Sequence, residues 1–132
     1  MAKILIADDE PTLLYFCTVA LEREKHIILT AQTGPDALEM LKSERPDLLI
    51  LDVMLPGMDG YTLQLRISED ERLCRIPVIV ISALKPSLTM FEKFAQVSST
   101  LAKPFVAQEL VLAVNKALND EHNKDLKYKP YV

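Results

Sequence analysis

Cysteine, long apolar runs and basic charge are all scarce in this chain of 132 residues, and each scarcity excludes a class of protein. The two cysteines, Cys17 and Cys74, lack the spacing of a metal-ligand motif, which predicts two free thiols in a reducing compartment. The sequence also has no signal-peptide pattern and no apolar run of transmembrane length. We therefore expect a cytoplasmic protein with no membrane contact.

A surplus of positive charge is missing as well. The formal net charge is -4 and the pI is about 5.2, which disfavours direct binding to nucleic acid or to an anionic membrane. Residues 1–60 carry 11 acidic against 5 basic side chains, whereas residues 61–132 carry 8 against 10. This asymmetry predicts a cation site in the first half of the chain.

Repeats, low-complexity segments and linkers are absent from the sequence, and its length fits one domain with one core. We predict a domain over residues 1–120 and a solvated C-terminal tail over 121–132, where the periodic patterns stop. Spacing gives His26 and His122 no partner, so both are expected to face solvent.

Five short runs predict five strands, of which the third and fourth should be buried. Uninterrupted apolar runs of four to eight residues are typical of parallel strands that are covered on both faces. The runs occupy residues 3–7, 26–31, 47–51, 77–82 and 99–102.

Amphipathic helical patterns separate these runs. Pro11 suits the first position of a helix with an acidic cap, and a second helix should end before Arg45-Pro46. A third helix is expected to begin at Gly60 or Tyr61. The apolar stripe of the first helix is predicted to comprise Leu13, Phe16, Cys17, Ala20 and Leu21.

The later patterns are less regular. A polar connection over 69–75 contains Cys74, and a fourth helix is expected from Pro86 or Ser87 to about Phe94, with Leu88 and Phe91 inward. A last helix follows Pro104. The alternation predicts an α/β fold, a doubly wound (βα)5 three-layer sandwich with a flavodoxin-like parallel sheet of order 2-1-3-4-5.

Polar side chains stand where four of the five apolar runs end. Asp8 and Asp9 follow the first run, Asp52 the third and Lys103 the fifth, and Ser82 ends the fourth. Because the carboxyl ends of parallel strands meet at one edge, we expect these side chains to share a cleft. Neighbouring carboxylates repel one another, so the cleft needs positive charge from the lysine and from a divalent cation. Hard oxygen ligands favour Mg²⁺.

These groups suit phosphoryl transfer to a carboxylate. Asp52, beside Mg²⁺ and Lys103, can attack a phosphoryl group and form an aspartyl phosphate, which the Ser82 hydroxyl can sense through a hydrogen bond. Each residue alone has a simpler explanation, as a helix cap, a turn starter, a strand-end hydroxyl or a surface cation. Their joint occurrence, each at the end of the correct strand, outweighs those explanations.

Over about residues 3–119 the sequence resembles the receiver domains of response regulators in two-component signalling. The motifs that carry the resemblance are Asp8-Asp9, Asp52 within DVMLPGMDG, Ser82-Ala83 and Lys103-Pro104-Phe105. The resemblance implies that Asp52 is the phosphoacceptor. It also implies that Asp9, Asp52 and the backbone carbonyl of Met54 bind Mg²⁺, with Asp8 acting through water.

The resemblance further implies that Lys103 contacts the phosphoryl group, that Ser82 is the switch hydroxyl and that the Lys103-Pro104 bond is cis. Two positions depart from the family pattern. Thr100 stands where the family usually has an aromatic switch residue, and residues 96–98 replace the usual Gly-Ala-Asp. These departures concern how phosphorylation is transmitted, not phosphorylation itself.

Three functional hypotheses follow. The first is a switch, as a stand-alone receiver or part of a longer protein. It takes a phosphoryl group from a histidine kinase or phosphotransfer protein and signals to an unknown output protein, and a dimer formed on phosphorylation is compatible with it. Such a domain is not an enzyme beyond catalysing its own aspartyl phosphorylation and dephosphorylation. The alternative is a receiver-fold interaction module that does not depend on phosphorylation, motivated by Thr100. A phosphohydrolase resembling the haloacid dehalogenases is the third, but Met54 stands where such enzymes need a general acid.

Overall fold

The structure, a computed structural model, describes residues 1–120. The predicted tail over 121–132, with His122, lies outside the described residues. Strands and helices alternate along the described chain: β1 (Lys3–Ala7), α1 (Pro11–Glu22), β2 (Ile27–Ala31), α2 (Gly34–Glu44), β3 (Leu48–Asp52), α3 (Gly60–Ser68), β4 (Val78–Ser82), α4 (Lys85–Leu88), β5 (Val97–Ala102) and α5 (Ala107–Asn119).

The five strands form one parallel sheet of order β2-β1-β3-β4-β5, which confirms the predicted fold class and strand order. Every residue of β3 and β4 is buried, as the uninterrupted apolar runs predict. β1 lies between β2 and β3, so the strand order reverses beside β1 and β3. In open α/β sheets, that reversal opens a crevice at the carboxyl ends of the strands.

Helices cover both faces of the sheet and create two apolar cores. On one face Leu14, Cys17 and Leu21 of α1 pack with Leu110 and Val114 of α5. On the other face the core contains residues of α2, α3 and α4, namely Ala37, Leu41, Leu63, Ile67 and Leu88, together with Phe91. The predicted three-layer sandwich is therefore present. Among residues 1–120, no helix is long and apolar enough to cross a bilayer.

The apolar stripe of α1 differs from the prediction at Leu14, which is buried but was not predicted, and at Phe16. The fully covered residues are Leu14, Cys17 and Leu21, whereas Phe16 is 38% exposed. The ring of Phe16 instead lies 6.3 Å from the ring of Phe105, in the loop before α5. A narrow stripe suffices to cover the sheet because α5 packs beside α1 and closes the rest of that face.

The fourth helix is shorter than predicted. Regular α-helix covers only Lys85–Leu88, and a 3₁₀ turn over Thr89–Phe91 follows it. The Thr89 hydroxyl donates to the carbonyl of Pro86 at 3.0 Å, and such local bonds compete with helical hydrogen bonding. The predicted inward residues Leu88 and Phe91 are nevertheless buried.

The prediction that His26 faces solvent is wrong. His26 is half-buried, and its Nδ1 accepts a hydrogen bond from the Ala2 amide at 3.1 Å, so it does have a partner. Burial, reinforced by the charge of the N-terminal amine, lowers the pKa of His26. Cys74 is buried although its segment is polar, because Leu73 and Ile76 anchor the α3–β4 connection in the core.

The loop after Asp52 is held tightly against β3. The Gly60 amide donates to the Val53 carbonyl at 2.7 Å, and the Asp59 side chain caps α3 by accepting from the Thr62 amide at 2.9 Å. α3 begins at Gly60, as predicted. A Cβ on Gly60 would lie only 2.7 Å from the carbonyl oxygen of Asp52, so this close approach requires glycine.

Candidate functional site

The structure brings the predicted strand-end residues to one edge of the sheet. Asp8 follows β1, Asp52 ends β3, Ser82 ends β4 and Lys103 follows β5. Because all five strands are parallel, their carboxyl ends open into the same crevice, beside the point where the strand order reverses. Long-range pairing of strands therefore assembles residues that lie up to 95 positions apart.

Three carboxylates form the acidic part of this site. One oxygen from each of Asp8, Asp9 and Asp52 lies within 4.8 Å of the others. Asp8 is fully buried and Asp52 is 4% exposed, whereas Asp9 is exposed. Desolvated like charges at this separation repel strongly, so the cluster requires a compensating positive charge.

Lys103 supplies part of that charge. Its Nζ donates to Asp8 Oδ2 at 3.0 Å and to Glu10 Oε1 at 3.1 Å, and lies 3.6 Å from Asp52 Oδ2. Burial alone would lower the pKa of Lys103, but the hydrogen bonds to Asp8 and Glu10 and the charge of Asp52 outweigh it and raise the pKa to about 12. Lys103 is therefore a permanent cation at neutral pH.

Asp52 titrates well above the ordinary range of an aspartate. Burial, followed by repulsion from Asp8, raises the pKa of Asp52 to about 6. The charge of Lys103 and a hydrogen bond from the Met54 amide oppose the increase. The carboxyl group is thus mostly ionised at neutral pH, although little of it is open to solvent.

The donor set fits a hard divalent cation. Mg²⁺ binds oxygen ligands, mostly through one or two carboxylates plus waters, and three carboxylates converge here with Asp9 open to solvent. Met54 directly follows the loop residue Val53, and its side chain is 61% exposed. The residues present are therefore compatible with a magnesium site at this edge.

The helix cap predicted at the start of α1 is not formed as expected. Glu10 occupies the N-cap position, but its side chain makes no capping hydrogen bond and instead binds Lys103. Asp8 Oδ1 accepts from the Glu10 amide at 2.8 Å. The Lys103 ammonium offers the Glu10 carboxylate a full positive charge as well as a hydrogen-bond donor, whereas the first turn of α1 offers only amide donors and a partial charge.

Ser82 ends the strand next to the one that carries Asp52, but its hydroxyl bonds to the turn that follows β4 and not to the three carboxylates. Its Oγ accepts from the Leu84 amide at 3.0 Å and lies 3.1 Å from Ser87 Oγ. The Lys103 amide donates to the Ser82 carbonyl at 2.8 Å, so the backbones of β4 and the residue after β5 are joined here. Thr100 lies two residues before the end of β5, where it pairs with Val80 of β4, and it is half-buried.

The peptide bond between Lys103 and Pro104 is cis, which is the form that the family resemblance implies. Phe105 follows and packs against the core on the α1 and α5 side of the sheet. Sequence reasoning missed two residues of the site region, Glu10 as a partner of Lys103 and Ser87 as a partner of Ser82. Adjacency to the acidic pair could have indicated Glu10, but no local pattern marks Ser87.

The family model described as the response regulator receiver domain matches residues 4–115. This chain belongs to the response regulator receiver domain family. The receiver domain is a signalling module of two-component systems and not a classical enzyme, and response regulators work with histidine kinases and output partners.

Similar proteins span the same domain in different contexts. Protein PilH of Pseudomonas aeruginosa is 31% identical over 119 residues, which are 89% of this chain and 98% of PilH. The response regulator PleD of Caulobacter vibrioides is 40% identical over 83 residues, which are 63% of this chain but only 18% of PleD. The receiver domain thus resembles both a chain of similar length and a part of a much longer protein.

Solved structures share the architecture. A putative response regulator from Chloroflexus aurantiacus superposes with a TM-score of 0.81 at 33% identity, covering 89% of this chain and 98% of the other. The receiver domain of the sensor histidine kinase PA1611 from Pseudomonas aeruginosa, solved with a magnesium ion coordinated in its active site cleft, has a TM-score of 0.80 at 25% identity. That match covers 89% of this chain and 98% of the other.

Proposed function

We propose that this receiver domain is a phosphorylation-controlled switch and that Asp52 accepts the phosphoryl group. The observation that carries the proposal is the buried Asp52 carboxylate, with Lys103 Nζ at 3.6 Å and two further carboxylates within 4.8 Å. A carboxylate with an adjacent permanent cation, at the carboxyl edge of a parallel sheet, is positioned for attack on an anionic group.

The phosphoryl donor is a phosphohistidine on a histidine kinase or a phosphotransfer protein. A carboxylate oxygen of Asp52 attacks the phosphorus, a P–O bond forms, and the P–N bond breaks. The imidazole leaves with the electron pair and takes a proton from water. Lys103 offsets the charge that develops on the equatorial phosphoryl oxygens, and positioning supplies most of the acceleration.

Mg²⁺ belongs to the proposal. Asp9, Asp52 and the backbone carbonyl of Met54 would hold it, with Asp8 acting through water, and bound Mg²⁺ supplies further positive charge to the phosphoryl group. The convergence of three carboxylate oxygens supports this assignment. The magnesium ion in the similar receiver domain of PA1611 supports it as well.

The switch acts through protein contacts. Ser82 is proposed to reach the phosphorylated Asp52 with its hydroxyl, and the output partner is a protein, which includes a second copy of the domain on phosphorylation. A cytoplasmic location is part of the proposal and is supported by the two free cysteines, Cys17 and Cys74. Direct binding to nucleic acid or to a membrane is not part of it, given the net charge of -4.

A receiver-fold module that binds its partner without phosphorylation is the second candidate. The hydrogen bonds of Ser82 to the 84–87 turn, together with Thr100 in place of the aromatic, favour it. It would be adopted if Asp52→Asn bound the partner as tightly as the phosphorylated wild type. A phosphohydrolase is disfavoured because the exposed Met54 side chain has no acid to donate a proton.

The deciding experiment incubates the domain with Mg²⁺ and a small-molecule acyl phosphate and measures the intact mass. We expect one added phosphoryl group in the wild type and none in Asp52→Asn. Asp36→Asn, an exposed first-turn acid of α2, is the matched control and should behave as the wild type. A wild type that gains no phosphoryl group would overturn the proposed function.

A further inference from the structure

We propose that Ser87 is a positioning residue that holds the hydroxyl of Ser82 in the unphosphorylated domain and has to release it when Asp52 is phosphorylated. The inference rests on the proposed function of Asp52 and adds a residue from outside the phosphorylation site. Ser87 lies within α4, whereas Ser82 is the last residue of β4.

The hydrogen bonds around Ser82 fix the direction of each proton. A serine hydroxyl has one proton to donate. Ser87 Oγ is 2.6 Å from the Leu84 carbonyl oxygen and donates its proton there. Ser87 can therefore act toward Ser82 only as an acceptor, at 3.1 Å.

The Ser82 hydroxyl consequently has a partner both as a donor and as an acceptor. It donates its proton to Ser87 Oγ, because its other acceptor, the Leu84 carbonyl, is farther away at 3.4 Å. It also accepts from the Leu84 amide at 3.0 Å. To donate to a phosphoryl oxygen on Asp52, Ser82 must first break its bond to Ser87.

Only the side chain of Ser82 is free to make this change. Ser82 is 1% exposed, and its carbonyl accepts from the Lys103 amide at 2.8 Å. The residue before it is fixed too, because the Ile81 carbonyl accepts from the Val53 amide at 3.1 Å. Rotation of the Ser82 side chain is therefore the event that exchanges Ser87 for the phosphoryl group.

Release of Ser82 changes the turn that begins α4. The Leu84 amide and Ser87 Oγ both lose a partner, while the Ser87 amide and hydroxyl remain bonded to the Leu84 carbonyl. Leu88 and Phe91, which come after Ser87 in the chain, are buried in the core. The ring of Phe91 lies edge-on to the ring of Tyr61, with the two centroids 5.6 Å apart. In this chain Ser87 thus couples the switch hydroxyl to α4 at a place where Thr100 offers no aromatic ring.

The test compares initial rates of Asp52 phosphorylation by the acyl phosphate with Mg²⁺. Removing the acceptor in Ser87→Ala should raise the population of domains whose Ser82 is free, and so the rate, by about fivefold, which corresponds to one neutral hydrogen bond. Ser87→Thr keeps the acceptor oxygen and should restore the wild-type rate. Thr89→Ala is the matched control, since Thr89 donates to Pro86 in the same turn without touching Ser82.

The double variant separates the proposed role from a general loosening of α4. Ser82→Ala/Ser87→Ala should phosphorylate no faster than Ser82→Ala. A Ser87→Ala rate equal to the wild type, or a gain that persists without the Ser82 hydroxyl, would overturn the proposal. Should Ser87→Ala fail to fold, the isosteric pair Ser87→Thr and Ser87→Val makes the same comparison.

Hydrogen exchange at the Leu84 amide keeps this test independent of the phosphorylation chemistry. In the unphosphorylated domain, Ser87→Ala should speed exchange at Leu84 and Thr89→Ala should not. Failure of the wild type to accept a phosphoryl group would refute the function proposed for Asp52. Unchanged Leu84 exchange in Ser87→Ala would refute the role of Ser87 separately.

Discussion

Lys103 forms its closest ion pair with Asp8, at 3.0 Å, and not with the proposed phosphoacceptor. Asp8 is fully buried, so this ammonium offsets part of the desolvation cost of its carboxylate. The same lysine is 3.6 Å from Asp52 Oδ2 and therefore pairs with two of the three clustered carboxylates. Under the proposed function, a phosphoryl group on Asp52 would redistribute these contacts, because it carries a larger negative charge than the carboxylate.

Replacing Lys103 by Met should destabilise the metal-free domain by about 3 kcal/mol, since it leaves buried carboxylates without their cation. Mg²⁺ should recover more stability in Lys103→Met than in the wild type, because it neutralises the same charges. Urea unfolding with and without Mg²⁺ measures both effects. Lys3→Met, which breaks the exposed pair with Glu44 at 3.3 Å, is the control and should cost less than about 1 kcal/mol. An equal loss in both variants would contradict the prediction.

Asp52 should make the metal-free domain less stable as the pH rises. Its pKa is about 6 in the folded state against an ordinary 3.8, so between these values the folded state binds the proton more tightly than the unfolded chain. The contribution of Asp52 to stability is therefore intact below about pH 4 and lost as the pH rises through 6.

Asp52→Asn should accordingly stabilise the domain at pH 7.5 in a chelator, by roughly 3 kcal/mol at most, and by much less at pH 4.5. Urea unfolding at the two pH values measures the difference. Glu39→Gln removes one exposed charge of α2 and should show no such pH dependence. A stabilisation by Asp52→Asn that is the same at both pH values would refute this account.

Gly60→Ala should destabilise the domain by about 2 kcal/mol, although alanine favours helices. The added Cβ would lie 2.7 Å from the Asp52 carbonyl oxygen and 2.8 Å from Val53 Cα, both of which belong to the backbone of the site. Phosphorylation of Asp52 should slow as well, because the loop has to move. Denaturant unfolding measures whether Gly60→Ala lowers or raises the free energy of unfolding. An increase would contradict the prediction, because it would show that the loop adapts without cost.

Replacing the buried glutamines Gln64 and Gln96 by leucine should lower the stability of the domain by unequal amounts. Gln96 Nε2 donates to the carbonyls of Leu73 at 3.0 Å and Ile76 at 2.7 Å, and Gln96 Oε1 accepts from Gln64 at 2.9 Å. Gln96→Leu leaves these groups unpaired and should cost about 3 kcal/mol. Gln64→Leu should cost under about 1 kcal/mol, because it also removes an Oε1 that is buried without a partner among the described residues. Thermal unfolding of both variants checks the order, and equal losses would contradict it.

The phosphate on Asp52 should be long-lived. The side chains of Met54 and Leu84 are 61% and 54% exposed, and neither can orient an attacking water by hydrogen bonding. Met54→Asn should shorten the lifetime by about tenfold or more, because an amide can position the water. The decay of phosphorylated protein after removal of the donor measures it, with Met90→Asn, also exposed, as the control. A lifetime unchanged in Met54→Asn would refute the argument.

Much of the fold could be predicted from local patterns. Buried parallel strands leave uninterrupted apolar runs, and the dipeptide Asp59-Gly60 marks the start of α3, so both were found at nearly the correct residues. The truncated α4 was missed because the apolar pattern of Leu88 and Phe91 does not distinguish a longer α-helix from the 3₁₀ turn that is present over Thr89–Phe91. The exposure of Phe16 was missed because it depends on how closely α5 approaches α1.

The sequence by itself determined the fold class and which side chains meet at one edge of the sheet, because the carboxyl ends of parallel strands share an edge whatever the details of packing. Only the tertiary structure decided that Glu10 binds Lys103, that burial raises the pKa of Asp52 to about 6 and that the hydroxyls of Ser82 and Ser87 lie 3.1 Å apart. Those properties depend on distances of a few ångströms between residues far apart in the chain and on desolvation. No periodicity in a sequence encodes such quantities.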